Sequence, residues 1–182
     1  MKGFMFNLLE GIITAEHGAD AWDDILDGAE LKGAYTSLGD YRDEQFAKLL
    51  CVVALHLRDS EENVQKWFGK KAIGPMSELY PSFFDCHEET LSFVLTLNTI
   101  IHPQVRDLYP GAVVPVFRFE TLAQQGLVLH YQSPRMMCKF AEGLIEGAAE
   151  YFGEHVSLHQ PICVHHGASA CAIHCTFGPI RE

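Results

Sequence analysis

The sequence predicts an α+β fold, a helical N-terminal part followed by a C-terminal antiparallel sheet with packed helices. Two observations carry this. Apolar residues recur at helical spacing through the first hundred positions, and beyond Val113 the chain turns to short β-branched and aromatic runs separated by turn residues. One further helix interrupts those runs.

Each element has its own signal. Phe4, Met5, Leu8, Leu9, Ile12 and Ile13 mark a first helix that stops at Gly18. Trp22, Ile25 and Leu26 mark a second, and Phe46, Leu49, Leu50 and Val53 a third. Ser60 caps a fourth that presents Val64, Trp67 and Phe68 on one face, and Pro75 opens a fifth. Glu88–Ile101 reads as a helix that ends or bends at His102, because Pro103 disfavours the helical region for the residue before it. Val113–Phe119 and Leu127–Tyr131 read as strands joined by a turn at Ala123-Gln124-Gln125-Gly126. A helix from Pro134 to Tyr151 stops at Gly153, and His155–Val164 and Cys171–Phe177 complete the sheet. There is no internal repeat or long linker, so residues 1–182 read as one domain.

Composition narrows the function. Apolar residues make up 48% and charged residues 20%, which excludes a disordered chain, and no apolar run reaches the roughly 18–20 residues a bilayer span needs. The net charge of −11 disfavours a nucleic-acid partner. The opening residues do not read as a secretory leader, so a cytoplasmic, reducing setting is expected. Six cysteines in such a setting point to metal binding or thiol chemistry rather than disulfides.

Two segments carry the chemistry. Ile101-His102-Pro103-Gln104-Val105-Arg106-Asp107-Leu108-Tyr109-Pro110 sets a histidine at the end of a long apolar run. Tyr131-Gln132-Ser133-Pro134-Arg135 places a phenol, a capping serine and a scarce arginine together, donors suited to carboxylates at a helix start. Together they suggest a pocket for heme, a flat apolar ligand with two carboxylates. Taken singly, His102 also reads as an ordinary core or surface histidine, and the triplet as a capped helix with an incidental arginine.

The joint pattern resembles the H-NOX (heme–nitric oxide/oxygen binding) family, relatives of the heme domain of soluble guanylate cyclase. The resemblance covers nearly the whole length. It rests on Met1-Lys2-Gly3-x-x-Phe6-Asn7, on His102-Pro103-x-Val105-Arg106-x-Leu108-Tyr109-Pro110, and on Tyr131-x-Ser133-x-Arg135. It implies heme b between the helical part and the sheet. His102 is then the proximal iron ligand, Tyr131, Ser133 and Arg135 the propionate clamp, and Pro115 the residue that presses on the macrocycle. Oxygen-binding members carry a tyrosine five residues beyond the clamp arginine, where this chain has Phe140. Phe4, Met5, Leu9 and Leu144 are expected to add apolar lining, so NO and CO should bind and oxygen should not. Tyr80 is the alternative source of a donor. The resemblance further implies no catalysis, no membrane, and a signalling partner in trans, a histidine kinase or a cyclic-di-GMP enzyme.

A second cluster is implied more weakly. Some bacterial members hold zinc through three cysteines and one histidine, and Cys138, Cys163 and Cys171 match those cysteines. The family histidine falls at Gln160 here, so His159, one residue away, is the first candidate for the fourth ligand and His165 the second. The alternatives are free cysteines in a redox-sensitive hairpin, or a thiol/zinc redox sensor on the same fold.

Overall fold

The computed structural model describes residues 1–122 and 126–179. Four helices come first: α1 (Gly3–His17), α2 (Ala19–Ala29), α3 (Asp43–Leu57) and α4 (Glu61–Leu79). Gly18, at φ 90°, ends α1 as the spacing predicts. Ser60 Oγ accepts the Asn63 amide at 3.2 Å and caps α4. Pro75 does not open a helix; it sits inside α4. The residue before it is Gly74, which has no Cβ to collide with the proline ring, so the helical region stays open at that step.

The expected helix 88–101 is in fact three pieces. α5 (Thr90–Leu95) is followed by a π-helical turn at Leu97–Ile101 and then by α6 (His102–Leu108). His102 is itself helical (φ −64°, ψ −37°), so the irregularity lies upstream of it. Pro103 falls in the first turn of α6, where a missing N–H leaves no bond unmade.

The sheet comes next, with β1 (Val116–Leu122) and β2 (Gly126–Gln132) antiparallel. β1 begins only after Pro115, which has no amide to give a ladder. Of the expected turn, residues 123–125 lie outside the described residues. Then come α7 (Cys138–Tyr151), β3 (Glu154–Ile162) and β4 (Cys171–Pro179). All pairings are antiparallel in the order β1-β2-β4-β3, which confirms the α+β class.

α7 starts four residues later than expected. Met136 adopts φ 54°, which no helix running from Pro134 could accommodate. The amides freed by this turn find local partners: Arg135 N–H donates to Ser133 Oγ (3.2 Å) and Met137 N–H to the Tyr131 hydroxyl (3.0 Å).

Two apolar cores form. One gathers Phe6, Leu9, Phe46 and Phe68 among the first helices, and the other gathers Phe93, Leu127, Leu129 and Ile173 between α7 and the sheet. Met76 and Leu144 touch both, so the site lies at their seam. α4 and α7 cross there with almost no spacing. A Cβ at Gly69 would overlap the Phe140 carbonyl, and one at Gly143 the Lys66 carbonyl. This closeness fixes where α7 presents Phe140. Among the described residues, no helix is long and apolar enough to cross a membrane.

Candidate functional site

The seam opens into a cavity of about 270 Å³ with overwhelmingly apolar walls. That volume is near the ~300–1,000 Å³ of small-molecule sites. α1 contributes Phe4 and Met5, α7 contributes Phe140 and Leu144, and His102, Pro115, Tyr131, Ser133 and Arg135 all reach it. Leu9 does not: it is fully buried in the N-terminal core and is not among the lining residues.

His102 owes its place to the π-helical turn. The Thr96 carbonyl accepts amides from Thr99, Ile100 and Ile101 at 3.2, 2.9 and 3.1 Å, and a residue inserted this way rotates the downstream helix by about 100°. The Asn98 side chain ties the turn to β1, donating from Nδ2 to the Phe117 carbonyl (2.6 Å) and accepting the Phe117 amide (3.4 Å). The His102 ring then stacks on Phe117, with centroids 5.5 Å apart at 27°. Burial, helped by the nearby Arg106 cation, pushes the imidazole pKa down to about 4, so it is neutral at physiological pH. Its Nδ1 is buried without a hydrogen-bond partner.

The triplet converges as predicted, with side chains and a turn in place of the expected helix start. Arg135 is the anchor. Its Nε donates to Asp43 Oδ1 at 3.0 Å and its Nη1 to the Val113 carbonyl at 2.5 Å. Asp43 also accepts the N-terminal ammonium at 2.6 Å. Burial alone would raise the Asp43 carboxyl, but these two cations hold it below its usual range. Lys2, 9% exposed and paired with Asp40, adds a third cation beside the cavity. Tyr80 reaches the cavity too, but its hydroxyl is bonded to that of Tyr109.

Sequence reasoning missed Asp43, Asn98 and Phe117. Each acts through a partner distant in sequence, and no local motif marks it.

A neutral, half-buried imidazole, an apolar chamber and donors for acidic groups are what heme requires. The family model for Haem-NO-binding proteins matches residues 2–160. The chain belongs to the Haem-NO-binding (H-NOX) family. Solved H-NOX structures agree over the full fold. The Shewanella oneidensis protein in its Fe(II) state, a triple mutant, is 28% identical, with a TM-score of 0.93 over 100% of this chain and 98% of that one. The same protein in the Fe(II)NO state gives 0.92 at 28% identity over 98% and 99%. The K. algicida H-NOX, at 22% identity and 0.88 over 100% and 99%, shares the fold.

The cysteines form a separate group. The Sγ atoms of Cys138, Cys163 and Cys171 all lie within 4.8 Å of one another, and all three residues are buried. His159 does not join them. It lies on the exposed outer face of β3, opposite His174 on β4, with ring centroids 6.2 Å apart. Strand alternation sends its neighbour Gln160 to the inner face instead. His165 is exposed and its Nε2 bonds the Met136 carbonyl at 2.8 Å. Among the described residues no fourth cysteine, histidine or carboxylate meets the three thiols.

Proposed function

We propose that the chain is a heme-based nitric oxide sensor that excludes oxygen and regulates a separate signalling protein. The observation that carries it is one cavity holding a neutral, half-buried His102 on one wall and the Arg135, Ser133 and Tyr131 donors on another. When bound, heme b would supply a ferrous iron able to take a diatomic gas and a histidine ligand.

The residues divide the work. His102 would ligate the iron. Arg135, Ser133 and Tyr131 would hold the propionates. Pro115, on the cavity wall, would bear on the macrocycle. Phe140, Met5 and Leu144 line the gas side with side chains that donate no hydrogen bond. Bound oxygen carries partial negative charge and needs a donor, whereas NO and CO depend on one far less. The Asn98–Phe117 bonds and the π-helical turn tie the segment that carries His102 to β1, so a change in the hold on that imidazole would be felt by one defined segment.

The partner reading, a cytoplasmic histidine kinase or cyclic-di-GMP enzyme, rests on the family resemblance. The Shewanella oneidensis structures in Fe(II)NO and Fe(II)CO states support the choice of gases. A second reading makes the cysteines the sensor. In the metal-free cluster it is disfavoured, because burial pushes the Cys171 thiol up and leaves little thiolate to react with oxidants.

Absorption spectra of the reduced protein test the proposal. A five-coordinate ferrous band that persists in air and shifts with NO and with CO is expected. A stable oxy spectrum in air refutes oxygen exclusion. Unchanged heme binding in His102→Gly without added imidazole refutes the ligand assignment.

A further inference from the structure

The π-helical turn that aims His102 is held from two sides. Asn98 ties it to β1, and Thr96, at its root, is held from the loop before α5. His87 lies in that loop, half-buried, with its amide on the Phe84 carbonyl at 3.0 Å. Its ring spans the length of α5. Nδ1 meets Ser92 Oγ at 3.1 Å and Nε2 meets Thr96 Oγ1 at 3.4 Å, and the ring packs on Phe93 with centroids 5.7 Å apart at 83°.

Both hydroxyls also face a carbonyl. Ser92 Oγ donates to Glu89 at 2.9 Å and Thr96 Oγ1 to Phe93 at 2.7 Å. These four contacts need four protons, because a carbonyl can only accept. The two hydroxyls supply one each, and a neutral imidazole supplies one more. The fourth exists only when both ring nitrogens are protonated. With a neutral ring one contact goes unmade, and the Nε2–Thr96 contact is the longest of the four. The titratable groups around the ring are all acids. Asp85, Cys86, Glu88 and Glu89 flank it in the chain, Glu154 of β3 accepts the Thr90 amide at 2.7 Å, and Tyr151 of α7 packs on Phe84. The chain carries no lysine or arginine from residue 72 to residue 105. Among the described residues the ring bonds to the two hydroxyls alone.

We infer that His87 is a positioning residue for His102, working as an imidazolium that clamps Ser92 and Thr96 and so fixes where the π-helical turn begins. The Thr96 carbonyl is the shared acceptor of that turn, so a shift of Thr96 carries the turn and the His102 ring beyond it. Release of the second ring proton to solvent frees Thr96 from the loop, while Asn98 keeps its hold on β1. Histidine ordinarily changes charge near pH 6.5, so the hold on the proximal imidazole responds to mild acidification. The inference rests on the heme reading for its iron readout and stands apart from it for the state of the ring.

Two measurements on the holoprotein test it. Histidine-selective nitrogen-15 labelling of the diamagnetic ferrous CO form reads each ring nitrogen, with His87→Gln identifying the signals. At about pH 5.5 both His87 nitrogens should carry protons, and Thr96→Val, which keeps the shape and removes the acceptor, should cost one slowly exchanging N–H signal. Resonance Raman then follows the iron–histidine stretch of the unliganded ferrous protein from about pH 8 to about pH 5.5, either side of the ordinary histidine range. The band should shift in wild type and stay at its high-pH frequency in His87→Gln and in Thr96→Val. A shift that persists in both variants, or a wild-type band that ignores pH, overturns the positioning role. A single proton on the His87 ring at the acid end overturns the imidazolium. If wild type shows no such band at any pH, the heme-ligand reading fails, and the labelled ring still decides whether His87 holds two protons.

Discussion

Arg135 Nε donates to Asp43 Oδ1 across 3.0 Å, joining the turn before α7 to the first residue of α3, and the same carboxylate oxygen takes the Met1 ammonium at 2.6 Å. The guanidinium that faces the cavity is therefore aimed by a carboxylate from the helical half. Asp43→Asn keeps the shape and removes the charge. Asp43 is 47% exposed, so screening limits the pair to about 1 kcal/mol, roughly a fivefold change. Heme should pass to an acceptor protein about fivefold faster from Asp43→Asn than from wild type. In an Arg135→Ala background the same substitution should add little, because the two act as one unit. Fully additive effects would mean that Asp43 does not work through Arg135.

Phe140 decides the gas in the proposed function. Phe140→Tyr puts a hydroxyl into the cavity at the position where oxygen-binding relatives carry one. A hydrogen bond to a partly charged acceptor is worth about 1.5–3 kcal/mol, enough to slow oxygen release more than tenfold. An oxy spectrum should then appear in air after reduction. Tyr80→Phe should leave the gas preference unchanged, because the Tyr80 hydroxyl is already paired with Tyr109. If Tyr80→Phe alters oxygen binding, the polar group on that wall is Tyr80 and not residue 140.

The parts of the site that are legible in the sequence are those whose pattern is local. His102 and Pro103 are adjacent, and Tyr131, Ser133 and Arg135 fall within five residues, so side-chain chemistry and spacing are enough. The supports are not legible. Asp43 meets Arg135 across 92 positions, and Asn98 meets Phe117 across 19, and no periodicity encodes either. Helix limits fail for a related reason. Proline alone points to helix starts at Pro75 and Pro134, whereas Gly74 and the left-handed Met136 decide those two steps. Leu9 shows the limit of face-reading on α1, where one broad apolar stripe serves both the core and the cavity wall. His159 fails by one residue, which on a strand means the opposite face.

The half-buried His102 makes a pH prediction for the heme-free protein. Its folded pKa of about 4 lies below the ordinary 6.5, so the unfolded chain binds more protons between those values. Stability that is fully present above pH 6.5 should fall as pH drops toward 4. Asp43 acts in the same direction but lower, since its carboxyl is held under 3.8. Melting temperatures of the apoprotein should decline across the upper window, and His102→Phe should flatten that part of the slope. An equal slope in the variant would assign the effect to another group.

The close crossing of α4 and α7 predicts an inverted glycine effect. In a helix interior, Gly→Ala ordinarily stabilises by about 1 kcal/mol. Gly11, exposed in α1 with nothing near its missing Cβ, should behave that way. At Gly143 the new methyl would overlap the Lys66 carbonyl and crowd the Lys70 amide, and backbone cannot rotate aside as a side chain can. The helices would have to part, and overpacking of this kind costs about 1–3 kcal/mol. Gly143→Ala should therefore lower the urea midpoint while Gly11→Ala raises it. Parting α4 from α7 also moves Phe140, whose carbonyl lies against Gly69 on the opposing helix. CO rebinding after photolysis should then change in Gly143→Ala and not in Gly11→Ala. If both alanines stabilise alike and leave rebinding unchanged, the crossing does not hold the gas-side wall in place.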